Sequence, residues 1–277
     1  MSREIARAAE SIELRMNEAY WAVLPRALAE KRNLALFRVG GAMVAITPNS
    51  TSLRRNRVLG LGVEELAREE MVDEVLDLFR AFRVKRFSFH LSPGPQSESI
   101  GRWLAKRGFK LHHRYAMLFR RAVPPASAKT DLIIRRIGKS EADSFARVFS
   151  EIFAEPSDRL TWIAAAVGAP GFSHYLAYDG DRAVATGLLF VDGNCGWMGW
   201  AGTLTPYRRR GAHTALIAGR LKRAAELGAK SVVCATLEPK PGRPSGSYRD
   251  LLRQGFVQAY LRPIWVWESA APGTSRR

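Results

Sequence analysis

Cysteine is nearly absent from this chain: 277 residues hold only Cys195 and Cys234. They form no CxxC pair, and the five histidines have no metal-ligand spacing, which argues against a zinc framework or a disulfide scaffold. Two buried free thiols and no metal are expected. Long apolar runs are missing too. No stretch of about 18 apolar residues occurs, so no membrane helix is expected. The opening "MSREIARAAESIELRMNEAY" carries four glutamates and no apolar signal-peptide core, so a cytoplasmic protein is expected. There is no GxxxxGK(S/T), which excludes a P-loop. "GLGVEEL" from Gly60 has Glu65 where a dinucleotide fingerprint requires glycine, and reads as a strand end. Acidic residues are scarce beside basic ones, 26 against 43, for a net charge of +17.

That excess is spread along the chain. Residues 1–130 hold 23 basic and 13 acidic residues, and the remainder 20 and 13. Such a surface attracts phosphorylated ligands and polyanions generally. No basic helix with interleaved aromatics occurs, and no nucleic-acid motif, so nucleic acid is not the expected partner. A hydrophobic fraction of 47% is enough for a sizeable core, and the length accommodates two domains.

"RRAVPPASAKTD" is the clearest break, placing domains at 1–125 and 126–277. Before it the pattern predicts a helix over about 3–31 and strands in "LALFRVGGAMVAITP" and "NRVLGLGV". A helix "VEELAREEMVDEVLDLFRAF", a strand "KRFSFHLSP", a helix "SESIGRWLAKRG" and a strand "FKLHHRYAMLFRR" follow. After the break come a strand, two helices, three strands with turns at Gly180-Asp181 and Gly193-Asn194, then helix, strand, helix, strand. Both halves end on a helix, a Gly-Phe pair and a long strand, which suggests two copies of one α/β unit. His112 and His113, adjacent on a strand, are expected on opposite faces.

The stretch "TLTPYRRRGAHTALIAGRLKRAAELG" carries the most chemistry. A helix start leaves unpaired N–H groups and a partial positive charge, and a tight loop aims those donors at one point. Gly211 lets the backbone approach an anion, and Arg208, Arg209 and Arg210 supply charge in a geometry that suits phosphate. "Arg208-x-x-Gly211-Ala212", between a strand and a helix, resembles the acyl-CoA pyrophosphate loop of the GNAT superfamily of N-acyltransferases. The element order over about 131–268 and "SYRDLLRQGF" resemble that fold as well. His213 stands where a second glycine or alanine is usual. The whole chain is similar to bacterial proteins with two GNAT-like units, the first without the cofactor loop.

The resemblance implies an α/β (α+β) fold of two tandem GNAT-like domains, each with a central mixed, mostly antiparallel sheet flanked by helices. It implies an acetyl-CoA-dependent N-acetyltransferase acting on a small-molecule amine or peptide. The cofactor residues would be Thr203, Leu204, Arg208, Arg209, Arg210, Gly211, Ala212, His213 and Thr214. Tyr248, the only tyrosine on the last helix, would be the acid that protonates the departing thiolate. No carboxylate lies on the strand 194–204; Glu151, Glu155, Asp158 and His174 are the candidates for a base, beside a water relay. The alternative is a non-catalytic module of the same fold that binds an acyl-CoA or a polyanion.

Overall fold

The computed structural model describes residues 3–124, 128–239 and 246–269. The centre of the proline-rich break, 125–127, therefore lies outside the described residues. In chain order the elements are α1 (Arg3–Ala22), α2 (Arg26–Lys31), β1 (Ala35–Val39), β2 (Ala42–Ile46), β3 (Arg57–Leu59), α3 (Glu70–Ala81), β4 (Arg86–His90), α4 (Ser97–Lys106) and β5 (Lys110–Arg121). They continue with β6 (Ile133–Ile137), α5 (Ala142–Phe153), α6 (Leu160–Ala165), β7 (Phe172–Asp179), β8 (Arg182–Asp192), β9 (Cys195–Thr203), α7 (Ala212–Glu226), β10 (Ser231–Leu237), α8 (Gly246–Arg253) and β11 (Val257–Glu268). The helix expected over 3–31 is two helices, because Pro25 lacks the N–H a continuous helix needs and restricts Leu24 before it.

Two compact units are present. One comprises Ser2–Leu14, Arg26–Tyr115 and Arg262–Arg277; the other Arg15–Pro25 and Ala116–Leu261, apart from Met1. In the first, β1-β2-β3-β4 are consecutive neighbours, β3 and β4 running parallel, and β11 pairs antiparallel with β4 from Ile264↔His90 to Glu268↔Arg86. Apolar residues of α3 at helical spacing, Val72, Val75 and Phe79, bury against Val44, Phe87 and Phe89 of the strands. Full burial of such side chains is worth about 1.5–3 kcal/mol each. Phe79 stacks on Phe87 with ring centroids 3.7 Å apart. His112 and His113 do not diverge as alternation on a strand predicts. Their Nδ1 atoms approach to 2.7 Å, a distance at which one imidazole N–H donates to the other ring nitrogen.

The first unit also holds a buried ion cluster. Arg262, 1% exposed, donates to Glu13 at 2.6 and 3.2 Å and to Glu10 at 3.3 Å, and the Ser92 hydroxyl donates to Glu10 at 2.7 Å. Burial alone would raise the Glu13 carboxyl, but the Arg262 guanidinium, with Arg57 beyond it, holds it below the usual range.

In the second unit the strand order is β5-β10-β9-β8-β7-β6. The hairpin turns are the two-residue loops expected at Gly180-Asp181 and Gly193-Asn194, each glycine at φ +56°. Alternation along β7 sends Leu176 and Tyr178 to the face covered by α5, and Tyr175 and Ala177 to the face covered by α7. α7 presents Leu216 to that core and Ile217, Leu221 and Ala224 to a neighbouring one with Leu189, Met198 and Val232, at helical spacing.

Candidate functional site

β9 leads into the site, and it is irregular there. Its parallel pairing with β10 runs from Cys195↔Ser231 only to Met198↔Cys234, whereas its pairing with β8 continues to Thr203↔Ala185. Among the described residues, the second half of β9 therefore pairs on one side only. A bulge sits at the same place: Gly199 pairs Leu188 and Gly202 pairs Thr186, so Trp200 and Ala201 oppose Gly187 alone. Trp200 takes a left-handed φ of +49°, and the Thr186 hydroxyl donates to its carbonyl at 2.8 Å.

A buried arginine underlies the bulge. Arg220 of α7, 1% exposed, donates to the carbonyls of Leu188 at 3.2 Å, Gly199 at 3.3 Å and Leu216 at 2.9 Å. Its side chain explains the glycine opposite: a Cβ at Gly187 would stand 3.1 Å from Arg220 Nε. Burial pushes this guanidinium down to about 10 and the neighbouring Cys234 thiol up to about 12.

Backbone direction follows from one hydrogen bond. The Leu204 amide donates to the Val184 carbonyl at 2.9 Å, so by antiparallel alternation the polar groups of Thr203 face away from β8. Arg208 Nε donates to the Thr203 carbonyl at 3.2 Å, as that direction requires. Thr203 thus presents its amide to the open side, while Leu204, 5% exposed, is committed to β8.

The loop then turns into α7. Gly211 caps the helix at φ +80°, and the first helical bond runs from the Ala215 amide to the Gly211 carbonyl at 3.0 Å. The amides of Ala212, His213 and Thr214 precede that bond and are the donors a helix start leaves over. The glycine has a reason besides ligand approach: a Cβ there would run into the Lys129 carbonyl oxygen. The Thr130 hydroxyl donates to the Arg210 carbonyl at 2.7 Å, which fixes the loop from behind.

A cavity of about 640 Å³ opens in front of these groups. Of the expected residues it is lined by Thr203, Arg208, Arg209, Gly211, Ala212, His213 and Thr214. Arg210 does not line it. Its guanidinium is held by Asp179 at 2.9 and 3.0 Å and by Asp131 at 3.0 Å, and both carboxyls lie below their usual range through bonding to it. Arg210 therefore anchors the loop instead of facing a ligand. Tyr248 is not in the lining either; its hydroxyl donates to Gln258 Oε1 at 3.0 Å, and it packs beside buried Leu251.

The opposite wall is α8, of which the sequence singles out Tyr248 alone as a site residue. Ser247, Arg249, Asp250 and Arg253 line the cavity. Asp250 lies 3.2 Å from His213 Nδ1, and this bond, with the charges of His213, Arg253 and Arg249, holds its carboxyl low. The one advance signal was the amphipathic spacing of α8.

Of the base candidates, Glu155 and His174 are poorly suited. Glu155 is buried in a pair with Arg159 at 3.1 Å, and Glu151 is exposed on α5. The Asp158 side chain lies outside the described residues. His174, 1% exposed among the rings of Phe145, Phe172 and Trp200, has its imidazole pushed down to about 3 by burial. Such a ring is neutral but a weak base. Among the described residues there is no group of three or more metal-ligating side chains, and no helix is long and apolar enough to cross a membrane.

A bulged strand thus parts from its neighbour and feeds a glycine-capped helix within a mixed α/β fold. Residues 139–243 match the acetyltransferase (GNAT) family. No curated protein matches the chain. Among solved structures it resembles a GCN5-related N-acetyltransferase from Kribbella flavida (12% identity, 96% of each chain, TM-score 0.64). It also resembles one from Sphaerobacter thermophilus (14% identity, 97% of this chain and 94% of that one, TM-score 0.60). A tandem GNAT protein of the clavulanic acid biosynthesis pathway matches at 17% identity over 87% of this chain and 84% of its own, TM-score 0.60. These likenesses establish a mixed α/β fold of the GNAT type over most of the chain.

Proposed function

We propose that this chain is an N-acetyltransferase that moves the acetyl group of acetyl-CoA to a primary amine by direct attack on the thioester. The observation that carries this reading is the cavity in which the leading amides of α7 meet the outward-facing backbone of Thr203. The residues fit the ligand. The Ala212, His213 and Thr214 amides suit a diphosphate, with Arg208 and Arg209 at the rim. The gap between β9 and β10 beside Thr203 suits the extended pantetheine arm, since the outward Thr203 amide at a strand edge can donate to a linear chain of amides.

The chemistry needs a neutral amine and a proton for the departing thiolate. Tyr248 is the tyrosine available on α8, and acting as the acid requires its hydroxyl to leave Gln258. Glu155 is held by Arg159 and the buried His174 is a weak base, so the amine proton passes to a water relay or to the exposed Glu151. That same deficit is what favours the second reading, a module that binds acyl-CoA without turnover.

The domain 126–277 would hold the only cofactor loop. At the start of α3, Glu69 and Asp73 pair with Arg107 at 2.9 and 2.6 Å, and Glu70 adds a further acid. Carboxylates at a helix start satisfy the dipole and repel a diphosphate, so residues 1–125 would bind no acyl-CoA. Calorimetric titration of the full chain with acetyl-CoA is expected to give one site per chain. Two sites would remove the assignment of a silent first half, and no heat at any temperature tried would remove the reading itself.

A further inference from the structure

The cavity carries more positive charge than a diphosphate needs. Arg208 and Arg209 stand on the loop side, and Arg249 and Arg253 on α8 line the same space. One carboxylate lines it, Asp250, which is engaged by His213 at 3.2 Å and lies 3.7 Å from Arg253. Arg249 and Arg253 are four residues apart on α8, hence one turn apart on a single face. Both are well exposed, with the Arg253 side chain at 75%, so neither is needed to hold the core together. The His213–Asp250 bond ties this helix to the start of α7 and gives the arginine face a defined place beside the diphosphate grip.

Resting on the acetyl-CoA reading, we infer that Arg249 and Arg253 form a second anion subsite that binds the ribose 3′-phosphate of the coenzyme. A phosphomonoester carries close to two charges near neutral pH, and guanidinium groups match its oxygens in paired geometry. Its separation from the diphosphate by one ribose suits a subsite on the opposite wall of the same cavity. The consequence is selectivity: the protein distinguishes 3′-phosphorylated coenzyme from its dephosphorylated form.

The test is calorimetric titration of the full chain with coenzyme A and with 3′-dephospho-coenzyme A, repeated on Arg249→Ala/Arg253→Ala. The native protein is expected to bind coenzyme A about tenfold to hundredfold more tightly, the range that hydrogen bonds to a charged group supply. That ratio should shrink as salt is raised, because both arginines face solvent. In the double variant it should fall to near unity, through weakening of coenzyme A towards the dephospho value. Equal affinity of the native protein for the two ligands overturns the inference and leaves the acetyl-CoA reading standing, as does a ratio that survives in the double variant. Failure of both ligands to bind overturns the acetyl-CoA reading and the subsite with it.

Discussion

Thr214→Asp is expected to weaken acetyl-CoA binding on the order of 100-fold without unfolding the protein. Thr214 is the third residue of α7 and lines the cavity. A carboxylate in the first turn of a helix interacts favourably with the dipole, by about 0.3–1 kcal/mol, so the free protein should melt no lower than the native one. The same carboxylate would stand where the diphosphate has to sit. Two like charges about 4 Å apart at an effective dielectric of 20 repel by about 4 kcal/mol, and even half of that is a large loss of affinity. Thr214→Asn, nearly the same shape without the charge, should lose far less. An aspartate variant that binds as the native protein does would put the diphosphate elsewhere.

Arg262→Met is expected to destabilise the unit that contains it by about 3–5 kcal/mol, the usual cost of stranding a buried charge. Set against a typical total of about 5–15 kcal/mol, that is a large share. Glu10 and Glu13, 5% and 4% exposed, would be left side by side without their guanidinium. The loss should come from the stranded charges, not from lost volume. Arg262→Met combined with Glu10→Gln and Glu13→Gln should therefore recover most of it in urea denaturation followed by tryptophan fluorescence.

The pH dependence has a definite sign. In the native protein Glu13 is held below its unfolded value, so its contribution is present above the ordinary glutamate range near pH 4.3 and is lost as pH falls through the lowered folded value. In Arg262→Met the deficit should instead be greatest near neutrality and narrow as the stranded Glu13 carboxylate takes up a proton. A deficit independent of pH would mean that Arg262 matters for packing alone.

Parts of this were legible in the sequence and parts were not, for physical reasons. The loop was legible because its signals are local: an arginine three before a glycine, with an apolar helical period starting at once. The hairpins at Gly180 and Gly193 were legible for the same reason. What faces what was not. Arg210 reads like its two neighbours, and only the arrival of Asp131, just before β6, and Asp179, at the end of β7, turns it into an anchor. Arg249 and Arg253 read as solvated charge on a short helix until α8 is placed across the cavity from α7. The ion cluster was invisible, since Glu13 and Arg262 lie 249 residues apart. The expected cut at 125/126 keeps all of β11 with the second half, whereas residues from Arg262 onward belong to the unit that holds β1 to β4. Nothing in the strand's own pattern marks that change.

The most direct measurement of the central claim is release of free thiol from acetyl-CoA by the full chain in the presence of a panel of primary amines, with Thr214→Asp run alongside. Amine-dependent thiol release by the native protein is expected, with at least one amine well above the hydrolysis background, and its loss in the variant. Amine-dependent release that persists undiminished in Thr214→Asp would contradict it, because the transfer would then not pass through the cavity at the start of α7.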